Sequence, residues 1–171
     1  ILDMGAWGLR SLAACAAQAN QGRQAPIRFA FNVSVLEFAQ RDMVAFVQQV
    51  LDETGCRAEW LTLELTESLM VGEPENIRRA FAQLRRMGVS VSIDDFGTGF
   101  SSLGYLQRFP VDELKIAKEF VDDMVFNARN ARLVEGIVKL GAALDLRTLA
   151  EGIETVEQRR RLLSMGCALG Q

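Results

Sequence analysis

Residues 89–103 have the sequence VSVSIDDFGTGFSSL, and this stretch decides which fold class the chain can adopt. Its first residues alternate apolar and small polar side chains with the period of a β-strand. Asp94 and Asp95 end the strand, and a loop rich in glycine and serine separates them from a short helix predicted at 103–108. We therefore expect a βα unit whose strand carries chemical groups at its C-terminal end.

The same strand-then-helix pattern continues on both sides of this stretch. Short alternating runs predict strands, and apolar residues at helical spacing predict helices. Strands are predicted at 27–33, 61–65, 89–94, 111–116 and 146–150, with a further strand beginning at 168–171; helices are predicted at 2–19, 36–54, 74–87 and 103–108, from a cap at Asn130 to about 144, and from a Thr155–Gln158 capping box to Gly166. Strands regularly separated by helices predict a parallel sheet, either open and doubly wound or closed into a barrel.

The size and charge of the chain limit its function further. Its 171 residues are 49% hydrophobic, which suits one globular domain over residues 1–171. The net charge is −3, and the only basic cluster is 159–161, so we expect no polymeric nucleic acid as a partner. No apolar run reaches the roughly 18 residues of a membrane span.

Histidine is absent, which excludes Ser-His-Asp and Cys-His catalysis and leaves any metal to oxygen ligands. The three cysteines lie far apart without a C-x-x-C pair, which favours reduced thiols and a cytoplasmic location. No G-x-G-x-x-G or G-x-x-x-x-G-K motif follows a predicted strand, so the nucleotide-binding Rossmann and P-loop folds lack their fingerprint.

Polar side chains lie at or near the C-terminal ends of the predicted strands. They are Asn32, Glu64, Asp94, Asp95, Lys115, Glu151 and Gln171. Because parallel strands share one C-terminal edge, these groups should meet at one rim of the sheet. Carboxylate and amide oxygens suit Mg²⁺ or Mn²⁺, and two such ions would support displacement at phosphorus. Lys115 would then offset charge on phosphoryl oxygens or on the leaving alkoxide.

Several segments resemble the signature blocks of one known family, the EAL domains. The matching segments are Asn32-Val33-Ser34, Glu64-Leu65-Thr66-Glu67, the run DDFGTGFSSL at 94–103, Lys115-Ile116 and the run AEGIET at 150–155. The DDFGTGFSSL run is very specific, and the resemblance extends over essentially all 171 residues. It implies a modified (βα)8 TIM barrel that hydrolyses cyclic di-GMP to linear pGpG with Mg²⁺ or Mn²⁺.

The resemblance also implies a role for individual residues. Asn32, Glu64, Asp94 and Asp95 correspond to metal ligands. Lys115 and Gln171 would lie near the attacking water and the phosphate, and Glu151 would be a metal-site residue or the general base. Glu67 and Glu154 would support the site, with Glu67 anchoring the loop that contains Phe96, Gly97, Thr98 and Gly99 and ends at Ser102. That loop often couples the active site to a dimer interface in the family.

The chain departs from the family pattern in two respects. The Glu-Ala-Leu motif, with a metal-binding glutamate, would precede Ile1, and a final strand and helix would follow Gln171. We therefore expect an incomplete barrel that is inactive by itself. Ala117 stands where the family usually has the aspartate of Lys-Ile-Asp, and 118–120 departs from the usual Arg-Ser-Phe.

These features leave two hypotheses for the complete protein. The first is an active cyclic di-GMP phosphodiesterase. The alternative, motivated by Ala117, is a catalytically impaired receptor that binds the dinucleotide and transmits a signal through the 96–103 loop. A homodimer is expected in either case, as are fused sensory or GGDEF domains and a cytoplasmic location; attachment to a membrane through upstream domains stays open.

Overall fold

The computed structural model describes residues 2–70, 75–99 and 103–171, which form a sheet flanked by helices. The strands are β1 (Phe29–Asn32), β2 (Leu61–Thr66), β3 (Ser90–Phe96), β4 (Glu113–Ile116), β5 (Arg147–Ala150) and β6 (Leu169–Gly170). The helices are α1 (Leu2–Asn20), α2 (Val35–Gln40), α3 (Met43–Thr54), α4 (Glu75–Met87), α5 (Leu103–Arg108), α6 (Lys118–Asp123), α7 (Ala128–Ala143) and α8 (Val156–Met165), and there are 3-10 turns at Ala58–Trp60 and Glu67–Met70.

The six strands are all parallel and lie in the order β1-β2-β3-β4-β5-β6. A doubly wound sheet reverses its strand order at a switch point, whereas a (βα)8 barrel keeps the order of the chain. The sequential order therefore decides between the two predicted architectures in favour of six strands of a barrel. The predicted α/β fold class is confirmed.

The two faces of the sheet differ in polarity, as the alternation of the strands predicts. On β2, Leu61, Leu63 and Leu65 are buried against the helices. Phe81 and Leu84 of α4 are fully buried on that outer face. The opposite face carries residues such as Thr62, Glu64, Ser92, Glu113 and Lys115, all of which are buried. The outer layer thus forms the apolar core, and the inner face holds an unusual concentration of polar groups.

The predicted helix 36–54 is wrong, because the structure has two helices there. Ser34 and Glu37 form a capping box that begins α2. Arg41 then takes an extended conformation, and Asp42 caps α3 by accepting a hydrogen bond from the Ala45 amide. Both helices bury apolar residues at compatible spacing, so the periodicity conceals the break. The two capping side chains were the signal that could have located it.

Smaller corrections concern helix starts and strand lengths. Asn127, and not Asn130, caps α7, because its side chain accepts hydrogen bonds from the amides of residues 129 and 130. Helix α6 was not predicted, and β1 and β4 are shorter than expected. The Thr155–Gln158 capping box and the end of α8 at Gly166 are confirmed. Pro74, the predicted first residue of α4, lies outside the described residues. None of the helices in the described part of the chain has the length and apolar content needed to cross a membrane.

Candidate metal centre

The strand register brings the predicted residues to one rim of the sheet. Asn32 pairs with Glu64 across β1 and β2, and Asp94 on β3 pairs with Thr66 at the end of β2. Ile116 at the end of β4 pairs with Ala150, the residue before Glu151. All these positions are at the C-terminal ends of parallel strands, where ligands bind in barrels of this kind.

Lys115 lies at the centre of this rim and contacts carboxylates from three different strand ends. Its Nζ is 2.6 Å from Oε1 of Glu151, 3.0 Å from Oε2 of Glu64 and 3.0 Å from Oδ1 of Asp94. The Lys115 side chain is only 3% exposed, so these contacts are shielded from water. The ammonium group accordingly neutralises part of a carboxylate cluster that would otherwise be costly to bury.

Burial and neighbouring charges shift the pKa values of Lys115 and Glu64 in opposite directions. Burial alone would lower the pKa of Lys115, but hydrogen bonds to Glu151, Glu64 and Asp94 raise it above its ordinary value. Burial raises the pKa of Glu64, although the hydrogen bond from Lys115 opposes that shift. Lys115 therefore keeps its proton, and it can supply positive charge more readily than it can donate a proton.

Asp94 and Asp95 both contribute to the cluster although they are adjacent in the chain. Asp95 has a left-handed backbone, with φ of 51°, and the register of β3 with β4 shifts between Ile93 and Phe96. In a regular strand, adjacent side chains point to opposite faces. Here carboxylate oxygens of Asp94, Asp95 and Glu151 come within 4.8 Å of one another. The irregular backbone thus accompanies the convergence of two adjacent carboxylates.

The residues present fit divalent cations. Glu64, Asp94, Asp95 and Glu151 provide four carboxylates against the single ammonium of Lys115, which leaves an excess of negative charge if all are ionised. Every candidate ligand atom is an oxygen, the donor that Mg²⁺ and Mn²⁺ prefer. Lys115 offsets part of the repulsion between these carboxylates, and a bound divalent cation would offset more of it.

Glu67 lies beneath the loop that follows β3. Its Oε2 accepts a hydrogen bond from the Gly97 amide at 3.3 Å, and its Oε1 is buried without a hydrogen-bond partner among the described residues. A Cβ at Gly99 would lie 3.1 Å from this Oε1. Thr98 donates its hydroxyl to the Asp95 carbonyl, and Phe96 is buried. The predicted loop continues through residues 100–102, which lie outside the described residues.

The other predicted residues are placed around the edge of the cluster. Asn32 is exposed on the outermost strand β1. Gln171 is exposed after β6, and its backbone amide donates to the Ala150 carbonyl. Glu154 forms an exposed ion pair with Lys118, whose Nζ is 2.5 Å from its Oε1. That pair raises the pKa of Lys118 and lowers the pKa of Glu154. The functional roles of all these residues stay predictions.

Two further features of the site concern β4. Ala117, which follows it, is buried and offers no oxygen to the cluster. Glu113 was not predicted, yet it is buried on the same strand two residues before Lys115. Its Oε1 accepts from the Ser92 hydroxyl at 3.3 Å, and its Oε2 is 3.6 Å from Nε of Arg147. The two-residue spacing from Lys115 was the signal that could have placed Glu113 on the inner face.

Comparison with known families gives one match over the whole chain. The model of the EAL domain matches residues 1–171. The chain belongs to the EAL domain family. The rim described above is therefore the corresponding rim of an EAL domain, and its six parallel strands agree with the TIM-barrel-like fold of solved members.

Relatives of this EAL domain include enzymes of cyclic di-GMP metabolism. It is 40% identical over 146 residues to MucR of Pseudomonas aeruginosa, a bifunctional diguanylate cyclase/cyclic di-GMP phosphodiesterase; the match covers 85% of this chain and 21% of MucR. The chain thus spans about a fifth of the length of that relative. The solved structure of the MucR phosphodiesterase in complex with c-di-GMP superposes with a TM-score of 0.91 at 38% identity, covering 96% of this chain and 67% of the other.

A more distant structure was solved with a metal ion present. The EAL domain superposes on BlrP1 of Klebsiella pneumoniae, in a complex with manganese and cyclic di-GMP, with a TM-score of 0.87 at 28% identity. The alignment covers 99% of this chain and 43% of the BlrP1 chain. The manganese in that complex agrees with the oxygen-rich cluster of the present domain.

Proposed function

We propose that residues 1–171 are part of an EAL domain that, when complete, hydrolyses cyclic di-GMP to linear pGpG with divalent cations. The observation that carries this proposal is the convergence of Glu64, Asp94 and Glu151 on Lys115, with Asp95 beside them, at a rim otherwise built from parallel strand ends. Relatives named cyclic di-GMP phosphodiesterases and structures holding that dinucleotide support the choice of substrate.

The proposed chemistry assigns distinct tasks to the charged residues. Asn32, Glu64, Asp94 and Asp95 would hold Mg²⁺ or Mn²⁺, in our proposal two ions. When bound, such ions supply a water nucleophile at neutral pH and offset charge on phosphoryl oxygens. Lys115 stabilises charge that develops on the phosphate or the leaving oxygen, because its raised pKa keeps it protonated.

Glu151 is the proposed proton acceptor or a further metal-site residue. Its carboxylate is partly exposed at the rim and lies 2.6 Å from Nζ of Lys115, and in our proposal it accepts the proton of the attacking water. Gln171 directly follows the neighbouring strand β6 and would contact the water or the phosphate. Glu67 and Glu154 support the site from below the 96–99 loop and from the segment after β5.

The test is product analysis with the full-length protein that carries this domain. Cyclic di-GMP and Mn²⁺ are incubated with the wild type and with Asp94→Asn, and pGpG is measured by chromatography. We expect Mn²⁺-dependent pGpG from the wild type and a large loss in the variant. Folded wild-type protein that yields no pGpG would reject the hydrolysis proposal.

A second function is favoured by one observation, the buried methyl group of Ala117 in place of a carboxylate. A domain that has lost one oxygen ligand would bind cyclic di-GMP and act as a receptor without turnover. Calorimetry distinguishes the two functions. Tight binding without pGpG formation identifies a receptor, and absence of binding rejects it.

We further propose a homodimer, fused sensory or GGDEF domains and a cytoplasmic location. The relative MucR, which is far longer than this chain, combines two activities in one protein, which supports fusion to further domains. The three cysteines are free thiols, two of them buried, which suits a reducing compartment. Sedimentation of the full-length protein tests the dimer.

A further inference from the structure

Helix α6 and Met124, which follows it, form three bonds with α8 and with the segment that precedes α8. The three pairs, with their donor–acceptor distances, are Lys118–Glu154 at 2.5 Å, Gln158 Nε2 to the Val121 carbonyl at 3.3 Å and Arg161 Nη1 to the Met124 carbonyl at 3.0 Å. The partners on each side are three or four residues apart, which is one helical turn. These contacts form a continuous seam, and Lys118–Glu154 is the pair nearest the catalytic rim.

The segment 151–154, which carries Glu151, has no helix or strand of its own. Its backbone is held at Glu151, whose amide donates to the Ile116 carbonyl, and at Ile153, whose amide donates to the Gln171 carbonyl. The amide of Glu154 donates to Oε1 of Gln158 at 2.9 Å. These three amide bonds hold the segment at both ends, and the contact with Lys115 holds the Glu151 side chain, so the direction of that side chain depends on the conformation of residues 151–154.

Lys118 makes two contacts with this segment at once. Besides the ion pair with Glu154, its aliphatic stem lies directly over Gly152, where a Cβ would come within 3.0 Å of three stem carbons. Gly152 also has a positive φ of 68°, a conformation that glycine adopts without strain. The stem therefore covers the turn immediately after Glu151, and the ammonium group holds the residue three positions beyond it.

Lys118 and Glu154 are linked through β4 and β5 to the ion pair at the centre of the site. Lys118 follows Lys115 by three residues, and Glu154 follows Glu151 by three residues. The outer ion pair, Lys118–Glu154, therefore has the same spacing along both segments as the inner ion pair, Lys115–Glu151. The inner pair is nearly buried, whereas the side chains of the outer pair are 53% and 64% exposed. The outer pair thus joins the segment that follows β4 to the segment that follows β5.

We propose that Lys118 is a positioning residue, which acts through Glu154 and Gly152 to direct Glu151 toward Lys115 and the cation-binding carboxylates. This inference rests on the proposed function, because it assigns Glu151 a task at the site. An isolated exposed ion pair contributes little to stability. The role proposed here is orientation of a reactive carboxylate, and its effect should appear in metal binding and turnover.

The test compares variants of the full-length protein by Mn²⁺ calorimetry and by steady-state hydrolysis of cyclic di-GMP. Lys118→Met removes the charge and keeps much of the stem, and Glu154→Gln breaks the pair from the other side. Lys118→Arg restores a cation. Lys139→Met is the matched control, since Lys139 forms an exposed ion pair with Glu135 at 2.6 Å on α7 and takes no part in the three bonds of the seam. Thermal melting of each variant reports any general loss of structure.

We expect Lys118→Met and Glu154→Gln each to weaken Mn²⁺ binding and lower kcat by about 10-fold, the scale of effect that supporting residues have at metal sites. KM for the dinucleotide should change little, and the double variant should be no worse than either single variant. Lys118→Arg and Lys139→Met should behave like the wild type. Unchanged Mn²⁺ binding and kcat in Lys118→Met, or a loss that Lys118→Arg does not recover, would overturn the inference.

The two readouts separate this inference from the proposed function. If the wild type binds Mn²⁺ but forms no pGpG, hydrolysis is rejected and the Mn²⁺ affinities of the variants alone decide the role of Lys118. If the wild type does not bind Mn²⁺, both proposals fail. A variant with a lower melting temperature but wild-type Mn²⁺ affinity shows a structural role only and contradicts positioning.

Discussion

Asp94 and Asp95 are consecutive in the chain, and oxygen atoms of both carboxylates lie within 4.8 Å of each other and of Glu151. The left-handed backbone of Asp95 interrupts the alternation of β3 at this point. Asp and Asn adopt this conformation more readily than other non-glycine residues do. Asp95 therefore tolerates the irregular backbone, and its carboxylate adds to a group of negative charges that suits a cation.

Two substitutions separate the effect of the Asp95 backbone conformation on stability from the effect of its charge on metal binding. We expect Asp95→Asn to keep the fold and stability, because Asn tolerates a positive φ, and to weaken Mn²⁺ binding by about 10-fold or more because a ligand charge is lost. Asp95→Ala should lose affinity and also about 1 kcal/mol of stability. Calorimetry with Mn²⁺ and urea unfolding measure the two effects. Equal stability of the Asn and Ala variants would contradict the role of the backbone conformation.

Removal of the Lys115 ammonium group should show how much the buried carboxylates destabilise the fold when they lack a partner. Lys115→Met leaves Glu64, Asp94 and Glu151 without their shared partner, and we expect a loss of about 3 kcal/mol in the free energy of unfolding without metal. Excess Mn²⁺ should recover part of this loss, since a cation that binds only the folded state stabilises it. Urea unfolding with and without Mn²⁺ measures both effects.

The exposed pair of Lys139 and Glu135 provides the comparison for that prediction. Lys139→Met should change the free energy of unfolding by less than about 1 kcal/mol, with or without Mn²⁺. If Lys115→Met proves as mild as Lys139→Met, the carboxylate cluster does not depend on the central ammonium group.

Ala117 offers a gain-of-function test. Ala117→Asp would place a carboxylate after β4, where the family usually has one, and we expect pGpG formation to rise by about 10-fold. The same residue occupies the N-cap of α6, which has no side-chain cap, so a polar side chain there should also add about 1 kcal/mol. Ala117→Asn is the matched control, because it caps equally well without a carboxylate. Equal turnover by both variants would show that the charge at 117 is unimportant.

We expect the substitution of glycine by alanine to have opposite effects on stability at two positions of α7. A Cβ at Gly141 would lie 2.5 Å from Cγ2 of Thr148, so Gly141→Ala should destabilise the fold by about 1–3 kcal/mol. Gly136 has open space around it, and Gly136→Ala should stabilise by up to about 1 kcal/mol because alanine favours the helix. Urea unfolding measures both, and Thr148→Ser should relieve the Gly141→Ala loss. Similar effects at the two positions would contradict the packing of α7 on β5.

The sequence predicted the polar face of the sheet better than it predicted the helices. Alternation placed Glu64 with Thr62 and Asp94 with Ser92 on one face, and the structure shows these side chains on the inner face of a parallel sheet. The break between α2 and α3 was missed because both helices bury apolar residues in a compatible phase. Helix α6 was missed because it is only six residues long and its N-cap, Ala117, offers no capping side chain that would mark its start.

The sequence by itself determined the α/β class, the family and the rim on which the polar residues lie, because these follow from local periodicity, from motif identity and from the parallel direction of the strands. Only the tertiary structure decided that the sheet keeps the strand order of a barrel, that Lys115 joins Glu64, Asp94 and Glu151, and that Lys118 spans to Glu154. The widest of those contacts joins Lys115 to Glu64, which are 51 positions apart in the chain. The distances between such residues depend on how strands and helices pack in three dimensions, which no local pattern specifies.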